Sequence, residues 1–193
     1  MIGGKEMPAL VIIGIIVLAV ICIGGWLVGI YNGFIKSKNN CEEAYSTMDV
    51  YLKKRFDLIP NLVETVKGYA KHESETFEKV VKARSMVGSA TTVEERAEAE
   101  NQLTGTLKTL FAVAEAYPEL KANQNFVDLQ NQLQTLEGEI AESRKYYNAT
   151  VKTYNNKVEM FPSSIIANVC GFSRKPMFEV NSEEERQNVK VQF

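Results

Sequence analysis

The fold is decided first by the stretch ALVIIGIIVLAVICIGGWLVGI, which occupies Ala9 to Ile30. The wider segment from Met7 to Ile35 contains no Asp, Glu, Lys or Arg. At about 1.5 Å rise per residue, a helix over residues 9–30 is roughly 33 Å long and matches a hydrocarbon core of about 30 Å. The sequence therefore predicts one transmembrane helix over residues 8–35, preceded by a short N-terminal tail of residues 1–7.

Two other interpretations of this apolar run stay open. A cleaved signal peptide has an apolar core of roughly 7–15 residues, and this run is longer. A lipoprotein anchor at Cys22 normally requires a small residue before the cysteine, where this chain has Ile21. A retained single-pass anchor is the favoured interpretation.

The rest of the chain carries nearly all of the charge, with 22 Lys and Arg against 24 Asp and Glu over the whole sequence. This near-neutral balance provides no basic face for nucleic acid, so we expect no nucleic-acid partner. The length supports one helical domain over residues 36–172 and a polar, partly mobile tail over residues 173–193.

Two long helices are predicted first along this domain. Apolar residues recur at three- and four-residue steps from Cys41 to Val87, which predicts one helix that continues through Pro60 with a kink. Thr92 followed by Glu95 forms a capping box, which predicts the start of a second helix over residues 92–117.

A third long helix is predicted over residues 125–160, because a heptad-like apolar seam typical of coiled coils runs from Phe126 to Phe161. Short connections make successive helices antiparallel. The predicted fold class is all-α: the transmembrane helix is followed by an elongated antiparallel bundle of three long helices plus a short C-terminal helix.

The short C-terminal helix is predicted from the apolar segment over residues 163–172, with Ser163 or Ser164 as its cap. It lacks the basic face of an interfacial helix, so we favour packing on the bundle or on a neighbouring subunit over the membrane surface. The residues proposed for this oligomer or docking surface are Ile165, Ile166, Val169 and Phe172.

Catalytic and metal-binding patterns are missing from the sequence. His72 is the single histidine, and the sequence contains no HExxH motif, GxSxG turn or phosphate-binding glycine-rich loop. We therefore expect no enzyme activity, no catalytic residues, no cofactor and no metal.

Glycines in the membrane segment indicate self-association. Gly25, Gly29 and Gly33 are spaced by four and leave one strip of the helix without side chains, so another helix can approach closely. Chance, or flexibility near the point where the helix leaves the membrane, is the competing explanation, because glycine is common in membrane helices. The strip predicts a homo-oligomer embedded in membrane lipid.

The orientation follows from a small excess of lysine after the membrane segment. Lys5 is offset by Glu6 before it, whereas Lys36 and Lys38 follow it. This bias favours a cytoplasmic soluble domain with the N-terminus outside.

Several long motifs resemble the LemA family. The segment Asp49 to Tyr69, DVYLKKRFDLIPNLVETVKGY, resembles the family's opening motif. Further matches follow in family order at Phe111 to Asn123, Tyr146 to Asn148, Tyr154 to Asn155 and Phe161 to Phe172.

The resemblance implies a bacterial cell-membrane protein with one membrane helix and a domain of long antiparallel helices. It implies no established reaction, and a relative in magnetosome-forming bacteria suggests membrane organisation or curvature. Motif residues expected to form polar contacts between helices are Arg55, Asp57, Asn61, Glu64 and Glu115.

The sequence therefore favours a non-enzymatic scaffold that assembles with itself and organises or shapes the membrane. The alternative is a tethered adaptor that recruits another membrane protein, such as a protease in envelope stress. An enzyme or metal carrier is the weakest hypothesis.

Overall fold

A computed structural model describes residues 6–179, with side chains described from residue 11. The described residues contain six helices and no strand, which confirms the all-α class. In chain order the helices are α1 (Glu6–Lys67), α2 (Ser74–Ser89), α3 (Val93–Ala114), α4 (Pro118–Lys121), α5 (Gln124–Glu159) and α6 (Ser163–Cys170).

The helix α1 contains the apolar segment and continues without a break through Ser37 to Asn40. Its most apolar window has a mean hydropathy of 3.0 and is 0% buried, so this helix is long and apolar enough to cross a membrane. Side chains from Val11 to Val28 are exposed, as lipid-facing side chains must be.

The prediction of one helix from Cys41 to Val87 was wrong. The helix α1 ends at Lys67, and α2 begins at Ser74 after turns around Gly68. Glycine weakens a helix by about 1 kcal/mol relative to Ala, and the turn lets α2 fold back on α1. The Lys67 ammonium lies 5.8 Å from the Phe77 ring centre, which fixes the two helices as antiparallel neighbours at this end.

The capping box at the start of α3 is present as predicted. The Glu95 backbone N–H donates to the Thr92 hydroxyl, and the Glu95 carboxylate accepts from the Thr92 backbone N–H. The other end differs, because α3 ends at Ala114 rather than residue 117, and Pro118 opens α4 instead of only stopping α3. Proline suits a first helical position because that N–H has no helical partner.

The chain divides into two compact units, described here one at a time. The bundle unit comprises Glu43–Val151 and Pro176–Phe193. Its core is built from α1, α2, α3, α4 and α5, and its main cluster includes Leu62, Val66, Val80, Leu103, Leu110, Leu120 and Leu133. The helix α2 runs antiparallel to α1, because Phe56 contacts Arg84 whereas the later Lys67 contacts the earlier Phe77. The helix α5 does so too, because Tyr45 contacts Tyr147 and Arg55 contacts Glu137.

The anchor unit comprises Met1–Glu42 and Lys152–Lys175. In it, α6 is capped by Gly171, whose φ of 73° is the left-handed conformation that glycine adopts without a steric penalty. The predicted serine cap is absent: Pro162 is the N-cap, and the Ser163 hydroxyl instead donates to the carbonyls of Lys157 and Met160. The Lys157 carbonyl lies in the last turn of α5, where helical partners run out.

Candidate functional site

The most distinctive polar cluster of the bundle unit is centred on Arg55, which is buried in α1. Its guanidinium pairs with the carboxylates of Glu100 in α3 and Glu137 in α5. It also donates to the Thr104 hydroxyl at 2.9 Å. One side chain therefore joins three helices.

A second arginine completes the cluster. The Arg96 Nε donates to the buried Glu100 at 2.8 Å, and its guanidinium lies 3.6 Å from Asp49. Burial lowers the pKa of Arg55, but the carboxylates of Glu100 and Glu137 outweigh burial and raise this pKa above its ordinary value. The guanidinium thus stays charged, and among the buried side-chain nitrogen and oxygen atoms of the described residues only the Arg55 Nε lacks a hydrogen-bond partner.

Of the other polar residues expected between helices, the structure brings none into this cluster. Asp57 pairs with Lys53, and Glu64 pairs with Lys67, each within α1. Asn61 is exposed on α1, and the exposed Glu115 reaches only Lys121 after α3. These four residues lie at the surface because their positions fall outside the apolar stripe of their helices.

Sequence reasoning missed Glu100, although a signal was available. Arg55 follows Met48 and Leu52 at helical spacing, so a charged residue occupies a position of the buried stripe. Glu100 likewise lies between the buried Ala97 and Leu103. Opposite charges at apolar positions of two helices indicate a buried ion pair, because an unpaired buried charge is very costly.

A further contact explains how α1 tolerates Pro60. Proline lacks the N–H that would bond the carbonyl of Phe56 one turn earlier. In the structure, Arg84 of α2 donates its Nε–H to this carbonyl at 3.1 Å, and its guanidinium stacks 3.8 Å from the Phe56 ring centre. The defect in α1 is therefore a docking point for α2.

A half-open groove of about 800 Å³ lies between α3 and α5 in the bundle unit, beside Glu137. Phe111, Leu107, Leu133 and Ile140 supply apolar walls, and polar side chains complete the lining: Asn101, Thr104, Lys108, Gln130, Gln134, Glu137 and Arg144.

The segment after α6 binds to α5 through two asparagines of the resembling motifs. In the bundle unit, Asn148 both accepts from the Phe178 N–H at 2.8 Å and donates to its carbonyl at 3.1 Å. In the anchor unit, Asn155 makes the same pair of bonds with Lys175, both at 2.9 Å. The start of the predicted tail, up to Phe178, is thus attached, whereas residues 180–193 lie outside the described residues.

The three glycines of the strip in the anchor unit differ in their surroundings. A Cβ added at Gly25 or Gly29 would meet nothing within 4 Å. Gly33 instead faces Lys157 of α5, whose ammonium donates to the Gly33 carbonyl at 3.0 Å and to the Ser37 hydroxyl at 2.6 Å. Only the first two glycines remain free of contacts with their own chain.

The residues proposed for docking on and after α6 also differ in their exposure. Phe172 stacks on Phe34 with ring centres 4.7 Å apart, and Ile166 is half-buried. Ile165 and Val169 are exposed. The seam of α5 ends before Phe161, which was expected in the core and is exposed after the end of α5.

No group of three or more potential metal ligands occurs among the described residues, and His72 is exposed at the turn between α1 and α2. The buried charged residues of the described part of the chain, Arg55 and Glu100, bind helices to one another.

Comparisons with known proteins give consistent results. The chain is 26% identical over 167 residues to Protein LemA of Metamycoplasma hominis, covering 84% of this chain and 74% of that protein. It is 25% identical over 203 residues to Magnetosome protein MamQ 2 of Paramagnetospirillum magneticum, covering 92% and 74% respectively. A Magnetosome protein MamQ of Magnetospirillum gryphiswaldense is 23% identical over 197 residues, with 89% and 72% covered.

These relatives and the apolar helix α1 indicate a membrane-associated protein. The model of the LemA family matches residues 44–193, which is more than half of the chain. The chain therefore belongs to the LemA family.

Proposed function

We propose that this protein is a non-enzymatic scaffold of the bacterial cell membrane, which self-assembles through its anchor helix and organises or shapes the bilayer. The observation that carries the proposal is the open strip at Gly25 and Gly29. It lies on a helix whose apolar window is 0% buried, so no other described part of the chain covers it. In lipid, such a strip lets a second helix pack backbone to backbone, which is the main route to association where the hydrophobic effect is absent.

The bundle unit supports a structural role. Its buried charges are joined to one another in the Arg55 cluster, so they stabilise helix packing and present no free acid or base to a substrate. The names of the MamQ relatives as magnetosome proteins agree with a role at a specialised membrane. The lysines at Lys36 and Lys38 favour a cytoplasmic position for this unit.

The test is the mass distribution of the full-length protein in lipid nanodiscs, measured by mass photometry and by cross-linking in native membranes. We expect oligomers for the wild type and a shift to monomers for Gly25→Leu combined with Gly29→Leu. The matched control is Gly24→Leu, because Gly24 is equally open but lies on a different face of α1. Monomers alone for the wild type contradict the proposal.

The groove between α3 and α5 favours a second candidate, an adaptor that recruits another membrane protein. Its apolar walls and polar rim suit a helical segment of a partner. A photo-crosslinking residue at Gln134, in the groove, is expected to capture one recurrent protein in cells. The same residue at Glu139, which lies on α5 outside the groove, is the control, and equal labelling at both positions contradicts this candidate.

A further inference from the structure

Four large apolar side chains are exposed together where α5 turns into α6, and we name them the α6 patch. Their exposed fractions are 62% for Met160, 80% for Phe161, 53% for Ile165 and 80% for Val169. Ile165 and Val169 lie one turn apart on α6, on its outer face, because Ala167 is buried on the inner face. Contiguous exposed apolar surface of this kind marks an interaction site.

Contacts within the anchor unit fix the height of the α6 patch along α1. The Tyr154 ring packs edge to face on the Phe34 ring with centres 6.3 Å apart, and Lys175, which bonds to Asn155, reaches Glu42 at 3.4 Å, so this part of α5 lies beside residues 34–42. Three residues later, Lys157 bonds to Gly33 and Ser37. The helix α5 therefore descends along α1 toward the membrane segment.

Extending this descent places the α6 patch at the membrane boundary. Met160 and Phe161 follow directly after α5, and the Ser163 hydroxyl at the start of α6 donates to the Lys157 carbonyl at 2.7 Å. This turn therefore lies next to the level at which Lys157 contacts Gly33 and Ser37, just beyond the apolar run that ends at Ile30. After α6, the Phe172 ring packs against Phe34 at 4.7 Å and Tyr31 at 5.7 Å. Both ends of α6 are thus held beside the point where α1 leaves the hydrocarbon.

The charges around the patch complement lipid headgroups. Lys36 and Lys38 of α1 and Arg174 after α6 are exposed, and Lys175 is half-buried. Arg174 pairs with Glu159 at 2.8 Å, and Glu42 lies 3.4 Å from Lys175 and 4.0 Å from Lys38. These pairs hold the basic residues in place and neutralise part of their charge, and the four basic residues still outnumber the two carboxylates. Neighbouring elements therefore provide the basic residues that α6 itself lacks.

We propose that the α6 patch is embedded in the same bilayer leaflet from which α1 emerges. The protein is then anchored in the membrane by α1 and by a second, shallow apolar contact. The exposed apolar side chains of the α6 patch lie at the level where the lipid-facing part of α1 ends, and the basic residues lie at the level of the anionic headgroup layer. A second copy is a poorer occupant, because a symmetric contact would bring the same basic groups against each other. The contact does not depend on self-assembly.

The experiment measures the depth of a tryptophan at the patch. In full-length protein with Trp26→Phe, which removes the single native tryptophan, Phe161→Trp and Val169→Trp each place one reporter at an exposed position. The control is Lys152→Trp, at an exposed position on α5 about 10 Å above the end of that helix. The nanodiscs contain phosphatidylcholine and phosphatidylglycerol, with bromine near the headgroup end or deep in the acyl chains.

We expect shallow bromine to reduce the emission of both patch reporters several-fold more than that of the Lys152→Trp control, and deep bromine to quench them less. Red-shifted emission without quenching shows that the patch faces water and overturns the proposal. Blue-shifted emission without quenching shows that protein covers the patch, either this chain or a second copy, and also overturns it. Quenching measures the depth of the reporter and not the number of subunits. If the protein is monomeric in nanodiscs and the patch reporters are quenched, the scaffold proposal is refuted and this inference is supported.

Discussion

Removing the Arg55 guanidinium tests whether the buried cluster stabilises the bundle unit. The variant Arg55→Met keeps an unbranched side chain of similar length, so the loss is chiefly of charge and hydrogen bonds. Glu100 is then left 3% exposed without its main partner, although Arg96 remains bonded to it at 2.8 Å. Breaking a buried ion pair by removing one partner costs about 3–5 kcal/mol.

The surroundings place the expected loss at the lower end of this range. The Glu137 side chain is 41% exposed, so water solvates it after the change, and its pair is worth about 1 kcal/mol or less. Arg96 continues to compensate Glu100. We therefore expect the free energy of unfolding to fall by about 3 kcal/mol.

The assay is chemical unfolding of the full-length protein in detergent micelles, followed by far-ultraviolet circular dichroism. The matched control is Lys53→Met, which breaks an exposed pair with Asp57 on the same helix and is expected to cost about 1 kcal/mol or less. A double variant, Arg55→Met with Glu100→Leu, is expected to recover much of the loss, because it leaves no buried carboxylate unpaired. A cost for Arg55→Met no larger than that for Lys53→Met refutes the reasoning.

Three further predictions concern individual contacts. Arg84→Met is expected to lower the free energy of unfolding by about 1–3 kcal/mol, because it leaves the Phe56 carbonyl opposite Pro60 unbonded. The loss is expected to be smaller in a Pro60→Ala background, where the new N–H of residue 60 bonds that carbonyl. A double-mutant cycle of unfolding free energies measures the difference. The pKa of Glu95 is lowered, mainly by the Thr91 backbone N–H, so its support of the start of α3 is complete above the ordinary value of 4.5 and is lost as the pH falls through the lowered folded-state pKa. The protection of the first-turn amides of α3, taken as the exchange rate of the unfolded chain divided by the observed rate at the same pH, is expected to fall on acidification in the wild type, and to be low and less pH-dependent in Glu95→Gln. Asn155→Ala removes two bonds of about 1 kcal/mol each to Lys175 and is expected to speed proteolysis there, whereas Asn156→Ala, at the exposed neighbouring position, leaves the rate unchanged.

Much of the helical architecture was predictable because it rests on local signals. The membrane helix follows from a run of apolar residues, and the start of α3 follows from the spacing of Thr92 and Glu95. The seam of α5 is buried at Phe126, Leu133 and Ile140, as its period indicates. In each case the signal comes from the residues of a single helix.

The missed features depend on contacts between segments distant in sequence. The apolar stripe of α1 resumes in α2 with the same spacing, so periodicity alone did not reveal that the chain reverses after Gly68. The attachment of Lys175 and Phe178 was also missed, because side-chain amides paired with an extended backbone have no periodic signature. The role of Arg55 required knowing that Glu100 lies opposite it.

The glycine strip shows how one sequence pattern serves two physical purposes. A missing side chain permits close approach by any neighbour, and spacing by four says nothing about whether that neighbour belongs to the same chain. At Gly33, near the membrane boundary, the neighbour is Lys157, whose ammonium reaches a backbone carbonyl that a larger side chain would shield. At Gly25 and Gly29, deeper in the apolar segment, an ammonium would be costly and the chain supplies no neighbour. Under the proposed self-assembly, the part of the strip left for a second anchor helix is therefore Gly25 and Gly29.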